Sequence, residues 1–537
     1  MCRIAGVAGI EYDYEAHQEA VERMCDAQKH GGPDDVGIYV SDHRKVILGN
    51  RRLSLLDLSP AGKMPLTYQS RYVITYNGEL YNFTELKNVL TQLGHQFNTG
   101  TDTEVIVAAF AQWGEGAFFR FSGMFAFAIW DLQEQELYLE RDSTGIKPLY
   151  YSVEDGKLIF ASEVRAFYAT VFSHQTNDNW PVYFMAFGHL PEPITTLQNV
   201  HPLPKGFFLK YSVKTKKISF QSYRHLSFTN KINDKQEALK QIRVLMQNAV
   251  QKHLLADAPV GVFLSGGLDS GIIAALSKKI NKEVHSLSIY FQEEAYSEKK
   301  YQDQISKRLQ IHSHQLLLEE SFFHNSLSEI LDSMDLPSCD GINTWFISKF
   351  ARDNGFKAVL SGLGGDELYG GYPSFQRMGI SRFISAFPSF SRNIFKSSSN
   401  KKLNRLAYLN MGGVKGLYLF LRGHFSPHEI ARQIDANETE VWKILNEAPV
   451  YMEVDETLEN KNLASWMEFH LYMQNQLLRD SDVMSMIHGV ELRVPFLDDS
   501  HLQYCMSMSE SVKYPSGYAK QILIDAFKDD LPEITWN

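Results

Sequence analysis

The second residue of the chain, Cys2, could act as a nucleophile that carries its own base. The opening segment reads MCRIAGVAGI, and a small residue at the second position permits removal of Met1. The mature chain would then begin with a thiol and a free α-amine on one residue. An α-amine has an unperturbed pKa of about 7.7–8.0, so near neutral pH it can take the proton of the thiol. Position alone favours an ordinary half-buried cysteine, so the rest of the chain must decide.

A second chemical pattern is the glycine-rich segment FLSGGLDSG, which lies where a predicted strand meets a predicted helix. Such a turn exposes successive backbone N–H groups at a helix N-terminus and forms a cradle for phosphate. It has neither the Walker A spacing nor the Rossmann spacing. The structural alternative is a glycine-rich turn in which Asp269 only caps the helix.

A second glycine-rich segment, SGLGGDELYGGY, follows another predicted strand and brings a further carboxylate to the same sheet edge. Asp269 and Asp366 could jointly hold Mg²⁺ against phosphates, because a hard cation prefers oxygen ligands. The histidines and cysteines show no zinc spacing, so no transition-metal site is expected. The sequence therefore predicts a phosphate and magnesium site at the strand ends.

The elements that must position these residues fall into two classes. Before residue 190, short strand-like runs such as YVITYNGELYN and GMFAFAIWD accompany two helical patterns, HQEAVERMCDAQKH and DTEVIVAAFAQWG. This mixture predicts a layered α+β domain. After a proline-punctuated connector, APVGVFL, DSGIIAALSKKI and VHSLSIYF give the order strand, helix, strand. That order predicts an α/β domain with a parallel sheet.

Composition narrows the classes of partner. The chain has 537 residues, 44% of them hydrophobic, and a formal net charge of −10. This is globular composition for two or three domains, without the basic surface typical of nucleic-acid binding. Four cysteines without a CxxC pair favour a reducing compartment, and no apolar run is long enough to span a membrane. We expect a cytoplasmic protein that acts on small molecules and binds neither nucleic acid nor membrane.

Two further segments, LLRDSDVMSMIHGVELRVPFLDD and GYAKQILIDAF, complete a recognisable pattern. The first glycine loop resembles the PP-loop of ATP pyrophosphatases, and the later segments resemble the synthetase domain of the glutamine-hydrolysing asparagine synthetase family. The N-terminal half resembles that family's class II glutaminase domain, so the resemblance covers nearly the whole chain. It implies a layered αββα domain of the N-terminal-nucleophile type, followed by a parallel-sheet domain of the PP-loop ATP pyrophosphatase type.

The resemblance also implies domain boundaries. We expect a glutaminase domain at residues 2–190, a connector at 191–234 and a synthetase domain at 235–537. The last is expected to be incomplete, because family members continue beyond the segment LPEITWN. Glutamine hydrolysis in one domain and ammonia use in the other imply an internal passage for ammonia.

In the glutaminase domain the resemblance assigns a role to each of five residues. Arg52, in RRLSLLDL, would bind the α-carboxylate of glutamine, which suits a planar guanidinium. Asn77 and Gly78, in YNGELYN, would form the oxyanion hole, where one donor contributes about 3–4 kcal/mol. Glu79 would lie beside the substrate, and Asp102, in TGTDTEV, would bind its ammonium group.

In the synthetase domain the resemblance implies an ATP site at the two glycine loops, with Mg²⁺ held by Asp269 and Asp366. Lys520 would contact pyrophosphate and stabilise charge in the transition state, with Arg479 and Arg493 as supporting charges. The implied ATP-binding residues are Leu264, Ser265, Gly266, Gly267, Leu268, Asp269, Ser270, Ile289, Ser361 and Gly362.

Two positions depart from the family pattern. Gly31, in KHGGPDD, stands where the family usually has an arginine. Leu363 stands where asparagine synthetases usually carry a glutamate, and an aliphatic side chain cannot move a proton. Either another carboxylate accepts that proton, Glu367 being nearest in sequence, or water and the leaving phosphate do, or aspartate is not the acceptor.

The resemblance implies an ATP-dependent amidotransferase that converts aspartate to asparagine with glutamine nitrogen and releases AMP and pyrophosphate. Two alternatives stay open. One is amidation of another carboxylate, for instance on a cell-surface sugar or a peptide. The other is a catalytically impaired, glutamine-binding paralogue. A homodimer is also left open.

Overall fold

The structure is a computed structural model that describes residues 2–170, 174–385, 404–450, 454–455 and 457–536. Met1 and its predicted removal therefore lie outside the described residues. The strands of the described part are β1 (Cys2–Ala8), β2 (Asp35–Val40), β3 (Val46–Arg52), β4 (Leu66–Tyr68), β5 (Tyr72–Leu80), β6 (Gly123–Asp131), β7 (Glu136–Arg141), β8 (Tyr150–Glu154), β9 (Lys157–Ala161), β10 (His201–Pro202), β11 (Phe207–Ser212), β12 (Lys217–Ser222), β13 (Val260–Phe263), β14 (His285–Tyr290), β15 (His312–Leu317), β16 (Ala358–Leu360) and β17 (Glu491–Arg493).

The first twelve strands form two stacked antiparallel sheets. Their orders are β10-β8-β9-β1-β3-β2 and β12-β11-β7-β6-β5-β4. Fully buried apolar side chains such as Ile4, Leu48 and Val73 fill the space between the sheets. The helix Tyr14–Ala27 covers the outer face at β1 and β3, and the helix Asp102–Trp113 covers the face at β5. This αββα layering confirms the predicted N-terminal-nucleophile type of fold.

The segment predicted as a connector contributes strands to this layered unit. Within residues 191–234, β10 pairs with β8 of one sheet, and β11 pairs with β7 of the other. β12 then extends the second sheet beyond β11. Pro202 is the last residue of β10, the edge strand of its sheet, and an edge strand tolerates proline because the missing N–H costs no ladder hydrogen bond there.

The last five strands form a parallel sheet in the order β15-β14-β13-β16-β17. The helix Leu268–Ile280 follows β13 after a short loop and buries Ile272 in the core of this domain. β13 and β16 are neighbours, so the loops that follow them meet at one sheet edge. This confirms the predicted parallel-sheet architecture.

Helices cover the parallel sheet and the layered unit. Among the described residues, no helix is long and apolar enough to cross a membrane. The helices are Tyr14–Ala27, Phe83–Gln92, Asp102–Trp113, Trp180–Phe187, Lys235–His253, Leu268–Ile280, Lys299–Leu309, Glu320–Ser333, Ile342–Asp353, Gly365–Tyr369, Pro373–Ser385, Gly413–Arg422, Pro427–Gln433, Glu438–Glu447, Asn460–Met467, the π-helical Glu468–Leu478, Arg479–Met486, Asp499–Ser507, Glu510–Lys513 and Gln521–Phe527.

Candidate functional site

Cys2 is the first residue of β1, and its side chain is buried. It lies directly opposite Arg52 of β3. The backbone N–H of Cys2 donates to Asn77 Oδ1 at 3.1 Å, so the nitrogen that would become the free amine already has a fixed partner. Burial raises the pKa of the Cys2 thiol above its ordinary value. Because the thiolate is the nucleophilic form, this thiol needs a base before it can attack a substrate.

Asn77 and Gly78 bring hydrogen-bonding capacity from the second sheet to Cys2. The Asn77 side chain is fully buried, and its Nδ2 has no hydrogen-bond partner among the described residues. An unpaired buried donor is costly, which points to a partner supplied by substrate. A Cβ at Gly78 would lie 2.2 Å from the carbonyl oxygen of Met124, so the backbone here requires glycine.

Arg52 lies at the end of β3, where backbone carbonyl groups hold its guanidinium. Its Nη1 donates to the oxygen of Ser59 at 3.2 Å, and its Nη2 donates to the oxygen of Asp57 at 2.6 Å. These partners are neutral, so they orient the guanidinium without cancelling its charge. The charge stays available for a substrate carboxylate.

Asp102 begins the helix Asp102–Trp113 and is almost completely buried. Its Oδ2 accepts from the hydroxyl of Tyr76 at 2.8 Å and from the N–H of Leu80 at 2.8 Å. Burial raises the pKa of Asp102 to about 6, and these hydrogen bonds oppose the rise. At neutral pH the group is a fixed carboxylate, suited to an ammonium group.

Glu79 and Arg493 link the two domains. Arg493 Nη2 lies 3.2 Å from Glu79 Oε1, and Arg493 Nε lies 2.5 Å from Glu491 Oε1. Burial raises the pKa of Glu79, whereas Arg493 lowers the pKa of Glu491 against the effect of burial. Arg493, predicted as a supporting charge of the synthetase site, thus pairs with Glu79 of the first domain and with Glu491 of its own strand. Arg479 donates to the carbonyl oxygen of Leu190 at 3.2 Å.

The first glycine loop packs tightly against the second. Gly266 has a φ of +90°, and Gly267 caps the helix Leu268–Ile280. A Cβ at Gly362 would lie 2.8 Å from the backbone nitrogen of Ser270. Side chains larger than hydrogen would therefore separate the two loops, and the glycines allow both to face one site.

Lys520 joins the two loops through Asp269 and Asp366. Its Nζ lies 2.7 Å from Asp269 Oδ2 and 2.6 Å from Asp366 Oδ1. Burial lowers the pKa of Lys520, but the two carboxylates outweigh this and raise it overall. Burial raises the pKa of Asp269 to about 6, and Lys520 opposes the rise. The resemblance implied that Lys520 lies at the site of these two carboxylates, and in the structure Lys520 pairs directly with both.

The same carboxylates fit a magnesium ion. Asp269 Oδ1 is buried and has no hydrogen-bond partner among the described residues, which leaves an oxygen for a cation. Within those residues, no cluster of three or more His, Cys, Asp or Glu side chains could hold a metal by itself. Mg²⁺ commonly takes one or two carboxylates together with water and substrate phosphate oxygens, so this pair is sufficient.

Two adjoining cavities open at the strand ends. A cavity of about 210 Å³ is lined by Leu264, Ser265 and Ile289, three of the predicted ATP-binding residues. A cavity of about 110 Å³ is lined by Ser361 and Leu363. Both are also lined by side chains of β13 and of the helix Ile342–Asp353, so a ligand in one could contact a ligand in the other.

Arg3 is a residue that the sequence did not single out. A Cβ at Gly31 would lie 2.8 Å from Arg3 Nε, so the Arg3 side chain occupies the space that a larger residue 31 would need. Its Nε lies 2.6 Å from Glu163 Oε1, and its Nη2 lies 2.9 Å from Asp482 Oδ2 in the C-terminal domain. The departure at Gly31 was the available signal, but only the fold places Arg3 beside it.

The sequence matches two known families along its length. A glutamine amidotransferase domain matches residues 1–224, and asparagine synthase matches residues 241–536. The glutamine-hydrolyzing asparagine synthetase 1 of Bacillus subtilis is 29% identical, with 97% of this chain and 83% of that protein covered. A putative glutamine-hydrolyzing asparagine synthetase 2 of Methanocaldococcus jannaschii is 31% identical, with 78% and 83% covered. The amidase chry2 of Gibberella zeae is 25% identical, with 97% and 84% covered.

The two sites and the two matching domains define a glutamine-dependent ligase, in which an amidotransferase domain accompanies a synthetase domain. The chain belongs to the asparagine synthase family.

Proposed function

We propose that the chain hydrolyses glutamine, adenylates a carboxylate with ATP and transfers the ammonia to it, releasing AMP and pyrophosphate. L-Aspartate is the proposed acceptor and asparagine the product. The observation that carries this proposal is the placement of Lys520 between Asp269 and Asp366 at the glycine loops. A cation beside two carboxylates at a phosphate-binding loop suits adenylation, and residues 1–224 of the same chain match a glutamine amidotransferase domain.

In the glutaminase domain, the Cys2 thiol attacks the amide carbon of glutamine after its proton passes to the α-amine of the same residue. The Asn77 Nδ2 and the Gly78 N–H donate to the oxyanion that forms. The α-ammonium group returns its proton to the amide nitrogen, the C–N bond breaks and ammonia leaves. Water then hydrolyses the thioester to glutamate and restores the thiol. Arg52 and Asp102 bind the α-carboxylate and the ammonium group, which fixes the amide at the thiol.

In the synthetase domain, the acceptor carboxylate attacks the α-phosphate of ATP, and the bond to pyrophosphate breaks. Lys520 balances charge on the leaving pyrophosphate. Asp269 and Asp366 would hold Mg²⁺, which neutralises phosphate charge when bound. Leu264, Ser265 and Ile289 line the 210 Å³ cavity, where they would contact the nucleotide.

The acceptor is tested by a panel of carboxylates with glutamine, ATP and Mg²⁺. Pyrophosphate release and product masses are measured for L-aspartate, L-glutamate, uronic acids and peptides with free carboxylates. We expect aspartate-dependent pyrophosphate release and a product mass equal to asparagine. A chain that released pyrophosphate with another acceptor but not with aspartate would contradict the asparagine assignment alone.

A second candidate is amidation of a different carboxylate. It is favoured by Leu363, which lines the cavity beside the nucleotide cavity and gives it an apolar wall. A relative of this chain is named an amidase and not an asparagine synthetase. The same panel separates the two candidates, because each predicts a different product mass.

A further inference from the structure

Amide formation at the synthetase site poses a problem of proton transfer. When ammonia attacks an acyl adenylate, the new C–N bond carries an ammonium group, which must lose a proton as the bond to AMP breaks. A positioned base typically accelerates such a step about 10²–10⁴-fold. Leu363 cannot supply that base.

Glu367, the nearest carboxylate in sequence, is badly placed for this task. It lies on the short helix Gly365–Tyr369, is 1% exposed, and accepts a hydrogen bond from the Tyr372 hydroxyl at 2.7 Å. It lines neither of the two cavities at the strand ends. A group that the substrate cavity does not reach cannot take a proton directly from the reacting nitrogen.

Asp480, in contrast, lines the same 110 Å³ cavity as Leu363. It is the second residue of the helix Arg479–Met486 and is 6% exposed. The Ser338 hydroxyl donates to its Oδ2, and Arg479 Nε lies 3.7 Å from its Oδ1. These contacts fix the side chain from two directions. Burial raises the pKa of Asp480 to about 6, which increases its affinity for a proton.

Asp340 is the other carboxylate that lines this cavity. Its Oδ1 accepts from the N–H of the adjacent Gly341 at 2.8 Å, so it is engaged within its own loop. It is only half-buried. Of the two carboxylates, Asp480 is therefore better held and better shielded from water.

We infer that the Asp480 carboxylate accepts the proton that the attacking ammonia must lose. This inference rests on the proposed function. The C–N bond forms, the bond between the acyl carbon and the AMP oxygen breaks, and the proton passes from nitrogen to Asp480 and then to solvent. The carboxylate that the family pattern places at position 363 is thus supplied from a different wall of the cavity.

The test compares wild type, Asp480→Asn and Asp340→Asn with ATP, Mg²⁺ and ammonium chloride. L-Aspartate is the acceptor, or the carboxylate of the panel that gives the most pyrophosphate. Two rates are measured: acceptor-dependent ATP–pyrophosphate exchange without ammonia, and amide formation at saturating ammonia. We expect Asp480→Asn to keep exchange within about twofold and to lower amide formation about 100-fold. Asp340→Asn should keep both.

A rescue experiment separates proton transfer from structural damage. Leu363→Glu combined with Asp480→Asn returns a carboxylate to the same cavity and should raise amide formation about tenfold over Asp480→Asn alone. Leu363→Gln combined with Asp480→Asn has matched size without the charge and should give no rescue.

Normal amide formation by Asp480→Asn would overturn the inference, as would equal losses of exchange and amide formation. So would a selective loss in Asp340→Asn. Failure of the proposed function gives a different result, since wild type itself would then release no pyrophosphate with any carboxylate of the panel. That result would contradict the proposed ATP-dependent amide formation, and it would overturn the inference that rests on it.

Discussion

The glutaminase site and the synthetase site are held in place by different means. Cys2 and Asn77 lie on strands of two stacked sheets, so register and packing of the backbone fix them. Asp269, Asp366 and Lys520 follow parallel strands or begin helices, and they hold one another through direct ion pairs. Residues of the first site should therefore act separately, whereas those of the second should act as a unit.

The largest effect is expected from Cys2→Ala. It should abolish glutamine hydrolysis, because no other group replaces the nucleophile, and it should leave ammonia-dependent synthesis within about threefold. Glutamate release and amide formation from ammonium chloride are the two measurements. Cys505→Ala, at a buried cysteine in the synthetase core, is the control and should keep glutamine hydrolysis. Intact mass showing Met1 retained in an active glutaminase would contradict the N-terminal-nucleophile mechanism.

The next largest effects test whether the synthetase residues act as a unit. Asp269→Asn and Lys520→Met should each lower acceptor-dependent pyrophosphate release about 10²–10³-fold and spare glutamine hydrolysis. The double variant should be barely worse than either single one, because groups acting together are non-additive.

The matched comparison in the glutaminase site is Arg52→Ala with Asp102→Ala. These residues contact different ends of the proposed substrate, so their losses in kcat/KM for glutamine should multiply. The comparison would be contradicted if the activity losses of Asp269→Asn and Lys520→Met multiplied in their double variant. It would also be contradicted if the double variant of Arg52→Ala and Asp102→Ala were barely worse than either single one.

Substitutions at Arg3 and Gly31 test the packing at the contact between the two domains. Arg3→Gly leaves Asp482 and Glu163 with one cation fewer, which should destabilise the protein by about 3 kcal/mol. Gly31→Arg alone should also destabilise it, because the new side chain meets Arg3. The double variant should be more stable than either single one, since the second guanidinium enters the vacated space. Urea unfolding of all four proteins measures this, and additive losses would show that the two positions do not share space.

Individual helices were predictable from the sequence because the spacing of apolar residues within one short segment indicates a helix. The pattern DSGIIAALSKKI predicts the helix observed at Leu268–Ile280, and DTEVIVAAFAQWG predicts the one at Asp102–Trp113. The shared edge of the two glycine loops also followed, because parallel strands end together. The domain boundaries and the roles of the site residues stay predictions.

Contacts between distant segments could not be predicted from one sequence. Arg3 and Gly31 are 28 positions apart, and nothing local indicates that one fills the space beside the other. The resemblance implied a supporting charge at Arg493, but it did not indicate that this guanidinium pairs with Glu79 across the domain boundary as well as with Glu491. Asp480 lay unmarked within LLRDSD, because its significance depends on the cavity that it shares with Leu363.

Asp102 provides a smaller effect that depends on pH. Its pKa is raised to about 6 by burial, so its charge is present above that pH and is lost as pH falls through it. Below about pH 7.7–8.0 the α-amine of Cys2 becomes protonated and can no longer act as a base. We expect log kcat/KM for glutamine to fall with a slope of one below that range and of two below pH 6. Asp102→Asn should keep the slope at one throughout, and an unchanged second break in that variant would exclude Asp102 as its source.

The smallest effect is expected from Leu363→Glu in the otherwise wild-type chain. If Asp480 already accepts the proton, a second carboxylate in the same cavity adds little, and like charges raise the proton affinity of both. Amide formation should change by less than about threefold, far below the 10²–10⁴-fold of a missing base. Glutamine hydrolysis should not change, and Leu363→Gln controls for size. A gain of a hundredfold would mean that the wild-type site lacks a base. If wild type adenylates aspartate but makes no asparagine with abundant ammonia, and Leu363→Glu does not restore it, the acceptor must be a different carboxylate.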